Sequence, residues 1–172
     1  QDSHVVARYQ GGANAGHTVY YHDKKLVLHQ IPSGILRKNC KCILGNGMVV
    51  DPVDLVDEIN MVKNHGILVE NKIFLALNAH IVTPITKYID CYNEKKSNQK
   101  IGTTGKGIGP TYVNKYNRNG IRALDLLNIE ILNKKLYNIL NETQKIYKLN
   151  DSIIVELKEK IIKFIDCSKL IS

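Results

Sequence analysis

With 172 residues, 44% of them hydrophobic and 23% charged, the chain has room for one domain with a substantial core and not for two of average size. No apolar run approaches the ~20 residues needed to span a bilayer, and no basic-then-apolar secretory pattern opens the sequence. The net charge of +8 favours anionic partners, but it comes mostly from lysines spread over every segment, with arginine at Arg8, Arg37, Arg118 and Arg122, which argues against a dedicated nucleic-acid surface.

Val5 to Tyr9 reads as a buried strand. It begins within five residues of Gln1 with no initiator Met, so a piece of a longer polypeptide is expected. Thr18 to Tyr21 and Lys25 to His29 read as two more strands around a turn at His22-Asp23-Lys24. Cys42 to Leu44 and Met48 to Val50 are apolar runs separated by Gly45-Asn46-Gly47, which predicts two short strands and a bend. Asp51-Pro52 sets a helix N-cap and first turn, with Val53, Val56, Ile59 and Val62 at helical spacing and Gly66 as the stop.

Ile73 to Leu77 predicts another strand. Thr83-Pro84 repeats the cap signal for a helix to about Glu94, with Ile85, Tyr88, Ile89 and Tyr92 on one face. Lys95 to Lys100 is polar, and Pro110 opens a short helix to Tyr116. From Asn128 the pattern is helical only. Ile129, Leu132, Leu136, Ile139 and Leu140 form one apolar stripe; Ile153, Ile154, Leu157, Ile161, Ile162 and Ile165 form a second.

Two glycine-rich segments carry the chemistry. Gln10-Gly11-Gly12-Ala13-Asn14-Ala15-Gly16-His17-Thr18 is small enough for a phosphate or ring to approach the backbone, and it offers hydrogen-bond partners and one titratable imidazole. Ile101-Gly102-Thr103-Thr104-Gly105-Lys106-Gly107-Ile108-Gly109-Pro110-Thr111-Tyr112 is not a P-loop, because the residue after Lys106 is glycine where that motif needs Ser or Thr. Its threonine hydroxyls, amides and lysine can still hold a phosphate; a plain surface loop is the alternative. Cys40, Cys42, Cys91 and Cys167 have neither disulfide-scaffold nor zinc-knuckle spacing, which points to a reducing, cytoplasmic setting. His22, His29, His65 and His80 show no ligand spacing. Buried thiols and surface imidazoles are expected.

Both segments in this order, the first preceded by Arg8-Tyr9, with Pro32-Ser33-Gly34-Ile35, Gly45 to Pro52 and Arg118 to Asp125, resemble the adenylosuccinate synthetase family, which joins aspartate to IMP at the expense of GTP. The resemblance runs from about Val5 to Leu127. It implies an α/β fold, with a mixed or mostly parallel sheet and flanking helices ending in a helical segment. Residues 1–127 are then the nucleotide-binding part and 128–172 the helical one.

The resemblance also implies roles. His17 is the catalytic acid for the phosphoryl group moving to the 6-oxygen of IMP, and imidazole suits that task. Asn14, Ala15, Gly16 and His17 line the IMP site, with Thr104 on the 5′-phosphate. Arg118 reaches the IMP phosphate of the neighbouring subunit in a homodimer. Gly16, His17 and Thr18 touch GTP, and the Gly16 carbonyl ligates Mg2+. Lys106 stands where the family commonly has arginine, which keeps the charge and loses the fork, so it takes no assigned role. Surface roles are at least as fitting for Lys115 and Arg122. The family's Gly-Asp-Glu-Gly-Lys-Gly-Lys loop, with its catalytic aspartate, and its aspartate-binding and guanine-recognition motifs do not occur in these residues, so the chain alone is expected to be inactive. The rival reading is a small basic module that binds nucleic-acid backbones, with nine tyrosines as stacking platforms.

Overall fold

The computed structural model describes residues 3–98 and 102–171; Ile101 of the second glycine segment and Gln99-Lys100 of the polar stretch before it lie outside the described residues. The elements run β1 (Val5–Gly11), β2 (His17–Tyr21), β3 (Lys24–Leu28), a 3-10 turn (Ser33–Leu36), β4 (Lys41–Val50), α1 (Pro52–Asn64), β5 (Ile73–Leu75), β6 (His80–Ile81), α2 (Pro84–Lys96), α3 (Ile108–Tyr116), α4 (Ala123–Leu126), α5 (Ile129–Tyr147) and α6 (Asp151–Lys169). The expected α/β architecture, with a parallel sheet, flanking helices and a helical end, is the one adopted.

Strand β4 organises the sheet. It pairs in parallel with β1, β5 and β6, and its buried Cys42, Leu44, Met48, Val49 and Val50 supply the apolar run that an internal parallel strand needs. β2 and β3 form a separate antiparallel hairpin. Its two-residue turn, His22 and Asp23, has positive φ at both positions, the geometry that suits the twist of a tight hairpin.

Two strands with a bend between them were expected over residues 42–50, and the structure has one strand with a bulge instead. The β1 partner shifts from Leu44, opposite Arg8, to Gly47, opposite Gln10, so Gly45 and Asn46 together face Tyr9. The glycines are there for space. A Cβ at Gly45 would lie 3.0 Å from the Arg8 carbonyl oxygen, and one at Gly47 would lie 2.0 Å from that of Tyr9.

The helix starts follow the sequence signals. The Asp51 side chain accepts from the amides of Val53 and Asp54, and Thr83 and Thr86 form a reciprocal capping box. The faces differ in detail. On α1 the buried residues are Pro52, Leu55, Val56, Glu58 and Val62, with Val53 and Ile59 half-buried. On α6, Phe164 joins Leu157 and Ile161 inside, while Ile162 is 59% exposed. Helix α3 begins at Ile108, two residues before the expected Pro110, because Gly107 at φ 72° turns the chain into it. The strand at 73–77 ends at Leu75, and β6 and α4 were not anticipated.

One apolar core runs from Leu26, Leu28 and Leu44 through Leu55 and Ile85 to Leu132, Leu136, Leu140, Leu157, Ile161 and Phe164. Leu136 is fully buried within it. Leu136→Ala is expected to cost roughly 2–5 kcal/mol, read as a lower urea midpoint at unchanged slope; a midpoint equal to the wild type would show that the helical end is not packed as described.

Candidate functional site

The first glycine segment is the crossing from β1 to β2, and the second leads into α3. Their roots meet. A Cβ on Gly12 would lie 2.5 Å from Cδ1 of Ile108 and 2.9 Å from the Val49 carbonyl oxygen, so only glycine lets the two segments and β4 approach this closely. One turn further along α3, the Tyr112 hydroxyl accepts from the Gly11 amide at 3.0 Å and donates to the Gly47 carbonyl at 2.8 Å. Lys115 Nζ donates to the Asn46 carbonyl at 2.9 Å. Helix α3 is thereby docked on the β4 bulge.

The second segment is anchored by carboxylates. Asp90, buried on α2, accepts from the Gly107 amide at 2.8 Å. Lys106 pairs with Asp54 at 2.7 Å, and Lys87 contacts both Asp54 and Asp51. Burial alone would raise the Asp54 carboxyl, but the hydrogen bond and charge of Lys106, with Lys87, hold it below the usual carboxylate range. A depressed native pKa contributes stability above the unfolded-state value, and that contribution fades as pH falls through the native one. Asp54→Asn should therefore cost stability near neutral pH and progressively less below about pH 4. Denaturant unfolding of both proteins across that range checks the sign; a gap that widens on acidification would refute it.

The expected site residues divide between these segments. Asn14, Ala15, Gly16 and Thr18 are exposed, and His17 is half-buried at the start of β2, paired in register with Leu28. Burial first, then the Arg8 guanidinium and His29, pull the His17 imidazole below the ordinary histidine value, against the opposing charge of Glu58. The neutral ring therefore prevails at neutral pH. Gly16 packs against the ring of His29, where a Cβ would lie 2.8 Å from Cε1. Thr104 is exposed on the second segment.

Arg118 follows α3 with φ of 60°. With Asn46, Asn78, His80, Lys115, Tyr116 and Arg122 it lines an open, basic cavity of about 510 Å³. Lys115 and Arg122 thus share a concave surface with Arg118. The structure brings together the roots of the two segments; neither His17 nor Thr104 lines that cavity.

The supporting roles of three residues escaped the sequence reading: Arg8 and Tyr112, which border the two glycine-rich segments, and Glu58, an acid inside the apolar stripe of α1. His29 was expected at the surface, yet its Nδ1 is buried with no hydrogen-bond partner among the described residues. Of the thiols, Cys40 and Cys42 are buried as expected and Cys91 is exposed. Burial, with Cys40 adding to it, pushes the Cys42 thiol up to about 11, so it stays protonated and unreactive.

A family model described as adenylosuccinate synthetase matches residues 1–172. The chain belongs to that family. It is 45% identical over 169 residues to the adenylosuccinate synthetase of Pelodictyon phaeoclathratiforme, covering 97% of this chain and 39% of the relative. It is 49% identical over 145 residues to that of Chlorobium phaeobacteroides, covering 84% and 33%. Among solved structures, the fully ligated adenylosuccinate synthetase from Plasmodium falciparum superposes with a TM-score of 0.78 at 34% identity, over 96% of this chain and 40% of that one. The chain thus spans about two fifths of the length of these adenylosuccinate synthetases.

Proposed function

We propose that this chain is the part of an adenylosuccinate synthetase that binds IMP and presents the acid for its phosphorylation. The family's reaction takes IMP, L-aspartate and GTP to adenylosuccinate, GDP and phosphate through 6-phosphoryl-IMP. The observation that supports this reading is the meeting of the two glycine-rich segments at Gly12, Ile108 and Tyr112. The reading assigns the purine to the first of these neighbouring segments and the 5′-phosphate to the second, and their close approach supports it.

In this reading Asn14, Ala15 and Gly16 line the nucleotide, and Thr104 offers its hydroxyl and amide to the 5′-phosphate. His17, neutral before the ligand arrives, shares a proton with oxygen as negative charge develops on the transferring phosphoryl group. The anionic ligand itself raises the imidazole pKa towards neutrality, which suits a general acid. Gly16, His17 and Thr18 contact GTP. Arg118 brings its fork to the IMP phosphate of a second subunit in a homodimer, and the other basic groups of its cavity add positive potential there.

Magnesium fits this surface only as an ion whose ligands are shared between protein and nucleotide. Among the described residues no three acidic, histidine or cysteine side chains converge, and Glu58, whose charge reaches His17, is occupied by three backbone amides. The Gly16 carbonyl is a hard oxygen donor, and nucleotide phosphates and water would complete the shell. Bound there, the ion would neutralise charge on the transferring phosphoryl group.

A cytoplasmic home accords with the free thiols, and no helix among the described residues is long and apolar enough to cross a membrane. The test is a titration of the chain with IMP and with single-stranded RNA at several salt concentrations. Saturable IMP binding without turnover supports the reading. Silence with IMP, together with steeply salt-dependent RNA binding, would replace it by the nucleic-acid module.

A further inference from the structure

We propose that Glu58 is a positioning residue: its carboxylate, opposed across the His29–Gln30 peptide by Arg8, fixes the hairpin that carries His17 against the first glycine-rich segment. The functional meaning of that role rests on the nucleotide reading above. Glu58 is 6% exposed and lies on the apolar face of α1 between Leu55 and Val62. A carboxylate buried there is costly unless its lone pairs are filled. They are filled by three successive amides. Oε1 accepts from His29 at 2.9 Å and Ile31 at 3.0 Å, and Oε2 accepts from Gln30 at 2.9 Å.

The peptide unit between His29 and Gln30 is held at both ends by charge. Its N–H points at Glu58, and its carbonyl accepts from Nη1 of Arg8. Arg8 Nη2 then donates to the Gly12 carbonyl at 2.8 Å, which carries the clamp into the glycine-rich segment. The Gln30 side chain extends it towards α1, donating to the Asp51 carbonyl at 3.0 Å and accepting from the Asp51 amide at 2.8 Å. Since the His29 ring abuts Gly16 and Leu28 pairs with His17, a shift of residues 29–31 is transmitted to the proposed acid. Ionic hydrogen bonds are the strong ones, and a clamp built from them leaves the hairpin one position.

The experiment compares 15N-labelled wild-type chain with Glu58→Gln, which keeps the shape but turns a donor towards the amides. The amide signals of His29, Gln30 and Ile31 should move upfield as their charge-assisted bonds weaken. Those of Gly12 and Gly16 to Thr18 should move with them and exchange with solvent roughly tenfold faster, while Leu132 to Leu140 stay unchanged. Arg8→Gln, acting on the same peptide from its other side, should displace the same set, and the double replacement should add little to either. If the signals of residues 29–31 move while Gly12 and Gly16 to Thr18 stay put, Glu58 is a local plug and the positioning role is wrong. Should Glu58→Gln not fold, Arg8→Gln decides by the same signals. An IMP titration of the wild-type sample separates the two ideas: no response defeats the nucleotide reading, whereas the clamp stands or falls on the amide signals.

Discussion

Gly47→Ala is expected to destabilise this chain more than any other glycine replacement in its sheet. The added Cβ would sit 2.0 Å from the carbonyl oxygen of Tyr9 and 3.2 Å from its carbon. Both are main-chain atoms of the neighbouring strand, so no side chain can swing aside. Relief requires β1 to part from β4 at the bulge, which also disturbs the Gly47 carbonyl that accepts from Tyr112. Overpacking typically costs about 1–3 kcal/mol, and the backbone nature of the clash puts this case at the upper end or beyond. For a chain of this size, about 3 kcal/mol lowers a melting midpoint by roughly 6–12 °C. Gly109→Ala is the control, because a Cβ there meets nothing within 4 Å. Equal melting midpoints for the two variants would mean that the bulge is not built as described.

The second large effect concerns chemistry. In a polypeptide that carries these residues at the full length of the relatives, His17→Asn should slow turnover by about 10²–10⁴-fold, the range expected for loss of a general acid. IMP affinity should change only a few-fold, since Asn14 to Gly16 and Thr104 remain. The fold should survive, because position 17 contributes to the β2–β3 ladder through its backbone. The imidazole is held low by burial and by Arg8, so Arg8→Gln should shift the pH profile of the wild-type reaction upward. A His17→Asn enzyme with turnover within about fivefold of normal would remove the acid from this position.

What the sequence disclosed was local. Asp51-Pro52 and Thr83-Pro84 announce their helices because the cap and the first turn lie within a few residues of each other. The stripe from Leu132 to Leu140 does the same through its spacing. The bulge at Gly45 and Gly47 was concealed, since glycine reads as a turn when its reason for being small is the main chain of another strand. β6 and α4 are too short to leave a periodic trace. The glycine-rich segments were legible from composition, and with them His17. Their supports were not, because Arg8, Glu58 and Tyr112 act on residues 21, 29 and 101 positions away. A charged residue in an apolar stripe signals only that some partner exists. It does not say which.

The phenol of Tyr112 has one more consequence. It bonds both the first glycine-rich segment and the β4 bulge, and it stands on the helix into which the second segment runs. Neither segment can be immobilised without restraining its counterpart. If the segments bind nucleotides as proposed, a ligand that orders one would leave less conformational entropy for the next to remove from the other. Successive ligands would then bind with positive cooperativity and no change of fold, and the coupling would be reciprocal.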